Sequence, residues 1–193
     1  AFKNKDYLEI GKASADFLIK EMMDPKGGFY GSYSANSEGK EGLFYLWKPD
    51  ELRRIAGDRD GTALATLMGV TSEGNFEDGL SVVTLRPDLE EIGRKLNRST
   101  KELGKLFKTW RPTLYQVRAK RQWPVLDAKM VTGWNGLAIS AVAKAYVITR
   151  EPRFLEAGMK SADTIWKLHR LKEGSLARAS TNGKVSEQAV LDD

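Results

Sequence analysis

At 193 residues with 41% hydrophobic content, the chain is long enough to bury a substantial core as one large domain. Its 31 basic and 26 acidic residues leave a net charge of +5, too modest and too dispersed to require a nucleic-acid partner. The absence of cysteine excludes disulfides, thiolate metal sites and thiol redox chemistry within this chain; without a membrane-length apolar run or a visible signal peptide, the default is a cytoplasmic protein with no membrane partner.

Residues 5–23 have the spacing of an amphipathic helix, with Leu8, Gly11, Ala15, Leu18 and Met22 on one stripe. Asp24-Pro25-Lys26-Gly27-Gly28 ends it, because proline and glycine do not continue a helix cheaply. Phe29–Tyr33 and Leu43–Trp47 then read as two short aromatic strands, and the polar loop between them predicts that they pair as a hairpin. Pro49, followed by Asp50 and Glu51, starts a short helix to about Ala56, and another runs from about Asp60 to Met68. Asp58-Arg59-Asp60-Gly61 hints at a calcium loop, but its twelfth position is Gly69 where a bidentate glutamate is needed, so that reading is rejected.

Gly74–Gly79 is a turn, Leu80–Leu85 is extended, and a third short helix starts at Pro87-Asp88 and ends near Asn97. Ser99 and Glu102 form a capping-box pattern opening a long helix to about Arg121. Its cluster of Arg118, Lys120 and Arg121 reads as a solvated face in preference to a phosphate-binding stripe. After an irregular stretch, Trp134–Thr149 is a helix rich in alanine and serine, whose small side chains suit a central position. Glu151-Pro152 opens a final helix to about Arg170, followed by a hairpin around Asn182-Gly183.

That final helix repeats the first. Tyr7-Leu8-Glu9, Gly11, Ser14-Ala15-Asp16 and Lys20 return as Phe154-Leu155-Glu156, Gly158, Ser161-Ala162-Asp163 and Lys167, all at one offset (154 − 7 = 147). The register continues from Gly27-Gly28-Phe29 into Gly174-Ser175-Leu176. One helix-plus-glycine-turn unit is therefore used twice, as in solenoids and closed toroids. The fold class expected is mainly α, part of an α/α toroid with inserted β-hairpins, with too few helices to close a six-hairpin ring.

The ordered landmarks resemble a known family. Gly27-Gly28-Phe29-Tyr30, then Ser37-Glu38-Gly39 and Glu41-Gly42 ahead of Phe44-Tyr45-Leu46-Trp47, look like its signature hairpin. Gly69-Val70-Thr71 with Glu73-Gly74-Asn75-Phe76-Glu77 looks like its next segment. Pro124, Asp127, Lys129, Thr132 and Trp134-Asn135-Gly136-Leu137 are similar to its central motif, and Leu191-Asp192-Asp193 to the start of a later one. The chain thus resembles the YyaL and spermatogenesis-associated protein 20 family. The resemblance implies an (α/α)6 toroid of the six-hairpin glycosidase type, akin to N-acylglucosamine 2-epimerases, of which residues 1–193 would be a single incomplete domain. It also implies an upstream thioredoxin-like domain as a partner in the same polypeptide. Ser34, Asn36 and Ala128 stand where the family usually has aspartates, which weakens the expectation of catalysis.

Asp127 is the lead acid–base candidate, its other reading being an ion pair with Lys129 that braces the loop. Lys129 could hold a substrate oxygen. Trp134 could stack on a sugar ring and Asn135 read a hydroxyl pair, or the two could serve as core and helix cap. Asp192 and Asp193 could supply one of the two carboxylates of glycosidic chemistry, or cap a following helix. Glu38 and Glu41 are read first as a solvated turn and second as substrate contacts. His169, the only histidine, aligns with Met22 on the apolar stripe and is assigned a structural role. The expected function is carbohydrate-directed, a glycoside hydrolase or sugar epimerase, with a non-catalytic sugar-binding or interaction module as the alternative; no cofactor is called for.

Overall fold

A computed structural model describes residues 4–84 and 88–186. The fold is mainly helical, with six helices and three small sheets among the described residues. By their contacts the residues divide into two compact units: one comprises the chain up to Ser34 together with everything from Leu126 onward, the other Ala35–Val125. Among the described residues, no helix is long and apolar enough to cross a membrane.

In the first unit, α1 (Lys5–Phe17) is capped by Asn4, whose side chain accepts the Asp6 N–H at 2.8 Å, and runs into a π-helical turn, Leu18–Met22. Its twin is α6 (Pro152–His169). The two helical stretches begin and end in the same register (152 − 5 = 147; 169 − 22 = 147). The turns that follow are identical in hydrogen bonding. Gly27 N–H donates to Asp24 O, Asp24 N–H to Gly28 O and Tyr30 N–H to Met22 O; 147 residues later, Gly174 N–H donates to Leu171 O, Leu171 N–H to Ser175 O and Ala177 N–H to His169 O. The bridge Met23↔Phe29 recurs as Arg170↔Leu176. The repeat read from the sequence is thus a repeat of backbone geometry. Gly27 is obligatory in it: its φ is +107°, and a Cβ there would lie 2.5 Å from the Lys160 carbonyl.

Both copies end in a short strand, and both strands pair with the same segment. β1 (Ser32–Tyr33) pairs antiparallel with β4 (Leu126–Asp127), while β5 (Lys129–Val131) pairs with β6 (Ala179–Thr181), which continues through an Asn182-Gly183 turn to β7 (Lys184–Val185). Both turn residues have positive φ, the geometry that a two-residue hairpin of this kind requires. Residues 126–131 are therefore a seam joining the two copies. From the seam springs α5 (Thr132–Thr149), two residues earlier than the sequence suggested, which packs on α1 and α6. Its central placement holds on those two sides only, since Leu137, Val147 and Ile148 are exposed. Ala15, Phe29, Val142 and Phe154 form the core of this unit.

In the second unit the predicted aromatic hairpin does not form. Phe29 bridges Met23 within the first unit, as described above, while here Asn36–Ser37 (β2) pairs with Lys40–Glu41 (β3). Glu38 and Gly39, both at positive φ, make a two-residue turn that closes locally. Leu43–Tyr45 is a 3₁₀ turn, and Trp47 bridges Ser81. The two short helices expected next are both present, one on each side of the non-helical Gly57 (φ 77°, ψ 164°), and are labelled together as α2 (Pro49–Leu67). α3 (Leu89–Leu96) is capped by Asp88, and α4 (Thr100–Ala119) by a complete Ser99–Glu102 capping box. Leu52, Leu64, Leu103 and Trp47 lie in the shared core.

In the basic cluster at the end of α4, Lys120 is exposed as expected, but the two arginines are not part of a solvated face. Arg121 donates to the carbonyls of Phe44 and Leu46 (2.9 and 2.7 Å), pairs with Glu51 at 2.8 Å and lies over the Trp47 ring. Arg118 lies over the Phe44, Tyr45 and Tyr115 rings. Both arginines hold the 43–47 segment that has no strand partner of the predicted kind.

Candidate functional site

The seam places several of the sequence-selected residues together. Asp127 ends β4 and Lys129 begins β5, both exposed, and the Lys129 N–H donates to Asp127 Oδ1 at 3.1 Å. This short turn fixes one carboxylate oxygen. The hydrogen bond joins the carboxylate to the lysine backbone, where the sequence reading considered a side-chain ion pair. Trp134 lies in the first turn of α5 with 59% of its surface exposed.

Gly31 lies between these groups. A Cβ built there would lie 3.2 Å from the Lys129 carbonyl oxygen, 3.5 Å from Trp134 Cζ3 and 3.7 Å from Asp127 Oδ2. A bare backbone thus has the indole ring and the carboxylate as immediate neighbours. The sequence reading did not select Gly31, although the repeat carries a signal: the register puts Arg178 opposite it (178 − 31 = 147), so a site that tolerates a long side chain in one copy has none in the other. A solvent-open carboxylate beside an exposed indole can accept hydrogen bonds from hydroxyls while the ring covers an apolar face. The described residues contain no group of three or more His, Asp or Glu able to hold a metal.

Asn135 is placed differently. It is buried (1% exposed), its Oδ1 accepts the Phe29 N–H at 2.6 Å, and its Nδ2 donates to the Phe29 and Val131 carbonyls at 3.0 and 2.9 Å. Both amide hydrogens are committed to backbone, so the side chain acts as a clamp between α5 and the strand entry of the first copy. The second copy is held by Thr132, whose N–H donates to Arg178 O at 2.9 Å and whose hydroxyl donates to Ala177 O.

His169 is fully buried where its twin Met22 is also buried, in keeping with the structural role assigned from the repeat. Its Nδ1 lies 2.6 Å from Thr132 Oγ1 and its Nε2 2.8 Å from Ser180 Oγ. Because the single Thr132 hydroxyl hydrogen goes to Ala177 O, that oxygen accepts from His169, which puts the imidazole proton on Nδ1. Burial pushes the imidazole pKa below its ordinary value, so the ring is neutral near pH 7 and Nε2 accepts from Ser180.

The remaining candidates are elsewhere. Glu38 occupies the β2–β3 turn and Glu41 lies in β3, both exposed in the second unit. Asp192 and Asp193 lie outside the described residues. The two tyrosines of the Phe29–Tyr33 segment have different partners. Tyr30 donates to the Asp24 carboxylate, and burial together with that bond raises its pKa to about 12; Tyr33 donates to the Glu21 carbonyl at 2.8 Å.

No protein-family model matches the chain. Among curated proteins it is similar to an uncharacterised Caenorhabditis elegans protein, with 32% identity over 194 residues, covering 88% of this chain and 26% of that protein. It is 24% identical to human spermatogenesis-associated protein 20 over 180 residues, 81% of this chain and 23% of the relative. The rat protein of the same name is 26% identical over 163 residues, 72% and 21% of the two chains. The chain therefore spans about a quarter of the length of these relatives. Along most of its length, the chain is thus a distant homologue of spermatogenesis-associated protein 20 and of the Caenorhabditis elegans protein.

Proposed function

We propose that the seam is a carbohydrate-binding face, belonging to an α/α toroid of which this chain supplies part. The observation that carries the reading is the exposed Trp134 ring held beside the Asp127 carboxylate across the side-chain-free Gly31. A pyranose presents an apolar C–H face and a rim of hydroxyls. The indole takes the face, Asp127 accepts from the rim, and the exposed Lys129 ammonium donates to a ring or hydroxyl oxygen. Asn135 and Thr132 set the site from below by locking the first turn of α5 to both copies. The toroid reading is supported by the helix–turn–strand unit, which alternates with α5 as the hairpins of such a ring do.

A second reading, acid–base catalysis by Asp127 in hydrolysis or epimerisation, is favoured by one observation: the carboxylate is solvent-open, with Oδ1 accepting from the Lys129 backbone N–H. Glycosidic cleavage needs a second carboxylate, for which Asp192 and Asp193 are the candidates in this chain.

Calorimetric titration of the complete protein against a panel of mono- and oligosaccharides tests both readings. Binding that weakens about tenfold or more in Trp134→Ala, a loss of roughly 1.4 kcal/mol, supports the sugar face. Turnover lost in Asp127→Asn with binding retained supports catalysis. An absence of binding across the panel, or binding indifferent to Trp134, sinks the proposal.

A further inference from the structure

The chain contains two Asn-Gly pairs, Asn135-Gly136 and Asn182-Gly183, and the fold treats them oppositely. Asparagine before glycine is open to one covalent change, because without a Cβ nothing shields the glycine nitrogen from the asparagine carboxamide. That nitrogen attacks Cγ, the Cγ–Nδ2 bond breaks, and the glycine amide hydrogen leaves with the amino group as ammonia. Water then opens the cyclic imide at either carbonyl. One opening gives aspartate; the other gives isoaspartate, in which the main chain runs through the former side-chain methylene.

The first pair is closed to this reaction. The Asn135 carboxamide is buried and all three of its hydrogen bonds go to backbone. Gly136 N–H lies in the hydrogen-bonded turn begun by Thr132 of α5, so the attack would require the helix to unwind. The second pair is open. Asn182 and Gly183 are both exposed in the β6–β7 turn, and a Cβ built at Gly183 meets no atom within 4 Å. Among the described residues no hydrogen bond or ion pair holds the Asn182 carboxamide. The turn is closed by the pairs Ser180↔Val185 and Thr181↔Lys184 and by a latch beyond them. In that latch Ser186 N–H donates to Ala179 O at 2.8 Å, and Ala179 N–H donates to Ser186 Oγ at 3.2 Å.

We propose that Asn182-Gly183 is a self-modifying site of the folded protein, where loss of ammonia converts Asn182 to isoaspartate and opens the Ser186 latch. A hairpin this short opens locally at low cost, which brings the Gly183 nitrogen to Cγ without unfolding the rest. A two-residue loop fixes the register of the strands it joins, and isoaspartate lengthens its main chain by one carbon. Residues 184–186 then lose their partners, and Ala179 N–H loses the Ser186 hydroxyl. The other edge of β6 keeps its pairing with Lys129–Val131, so the change frees one edge of this sheet and leaves the seam intact. The inference is independent of any carbohydrate.

The test is timed incubation of the complete protein at mildly alkaline pH, with and without urea, followed by tryptic peptide mass spectrometry. Trypsin releases Ala179–Lys184 and Met130–Lys144, each carrying one of the two pairs. Enzymatic methylation of isoaspartyl carboxylates tells the two products apart. In the folded protein Asn182 should convert about 100-fold faster than Asn135, and in urea at a similar rate. Amide exchange at Ala179 should be about tenfold faster in the isoaspartate fraction than in fresh protein. Asn182→Asp, which carries the new charge on an unaltered main chain, should keep the fresh rate. Conversion of Asn182 only in urea would overturn the proposal, as would equal rates at the two asparagines in the folded protein. Unchanged Ala179 exchange after conversion, or equal acceleration in Asn182→Asp, would overturn the opening of the latch by the added carbon.

Discussion

The two repeats share a backbone and differ in how they are tied down. After α1 the turn is secured by an amide, Asn135, and the helix ends on an apolar residue, Met22. After α6 the turn is secured by a hydroxyl, Thr132, and the helix ends on an imidazole that links Thr132 to Ser180. Both anchors come from the first turn of α5, three residues apart. The comparison teaches that the hydrogen-bonded turn is the invariant of the unit, while the side chains securing it are interchangeable in kind. Only the second solution contains an ionisable side chain, His169, whose pKa burial holds below its ordinary value.

The largest expected contrast lies in the helices themselves. Phe154→Ala should cost about 3–5 kcal/mol in urea unfolding, whereas Tyr7→Ala at the same repeat position should stay within about 0.5 kcal/mol. Equal costs would mean that the two positions are not buried as differently as the structure has them. Next, Asn135→Ala strands the Phe29 N–H and two carbonyls and should destabilise by about 2–4 kcal/mol, with faster amide exchange at Phe29 than at its twin Leu176.

His169→Met, which gives the second copy the residue of the first, should cost about 1–2 kcal/mol near pH 8 because two buried hydroxyls lose a partner. It should also change the pH profile. The folded-state pKa is depressed, so between it and the unfolded value near 6.5 the unfolded chain binds more protons. The wild-type contribution is therefore complete above about pH 6.5 and is lost as pH falls through the folded value. Unfolding midpoints from pH 8 to 5 should fall less steeply in His169→Met; parallel profiles would remove the imidazole from the argument. The smallest stability effect belongs to Trp134→Ala, within about 0.5 kcal/mol of wild type because the ring is mostly exposed, so that any change in ligand binding by this variant cannot be blamed on unfolding.

What could be read in advance was local or periodic. The capping box at Ser99, the helix start at Pro49, the break near Gly57 and the Asn182-Gly183 turn are each decided by residues within a few positions of one another, and all are present. The repeat was legible because its two copies share residues at one register. The hairpin expected between Phe29–Tyr33 and Leu43–Trp47 failed because strand propensity says which residues can extend, not which partner wins. Local closure at Glu38-Gly39 and the distant seam at Leu126-Asp127 outcompeted that pairing. The candidate site was half legible for the same reason. Asp127 and Trp134 could be singled out by type, but Gly31 lies 96 positions before Asp127 (127 − 31 = 96) and has no side chain to advertise a role. Asn135 and Arg121 were visible as polar residues, and only the tertiary structure shows that their donors end on backbone carbonyls.

The β1–β4 pair has a topological consequence. Ser32 and Asp127 face each other across an antiparallel ladder, which places their Cα atoms about 4.5–5.5 Å apart. Everything the chain does between them departs and returns through that one gap, so residues 35–125 are, in the wiring of the polypeptide, an overgrown hairpin loop. A loop whose ends are already pinned can lengthen, shorten or be exchanged at a modest entropic cost that grows only with the logarithm of its length. The second unit could therefore diverge quickly while the strand carrying Asp127 keeps its partner.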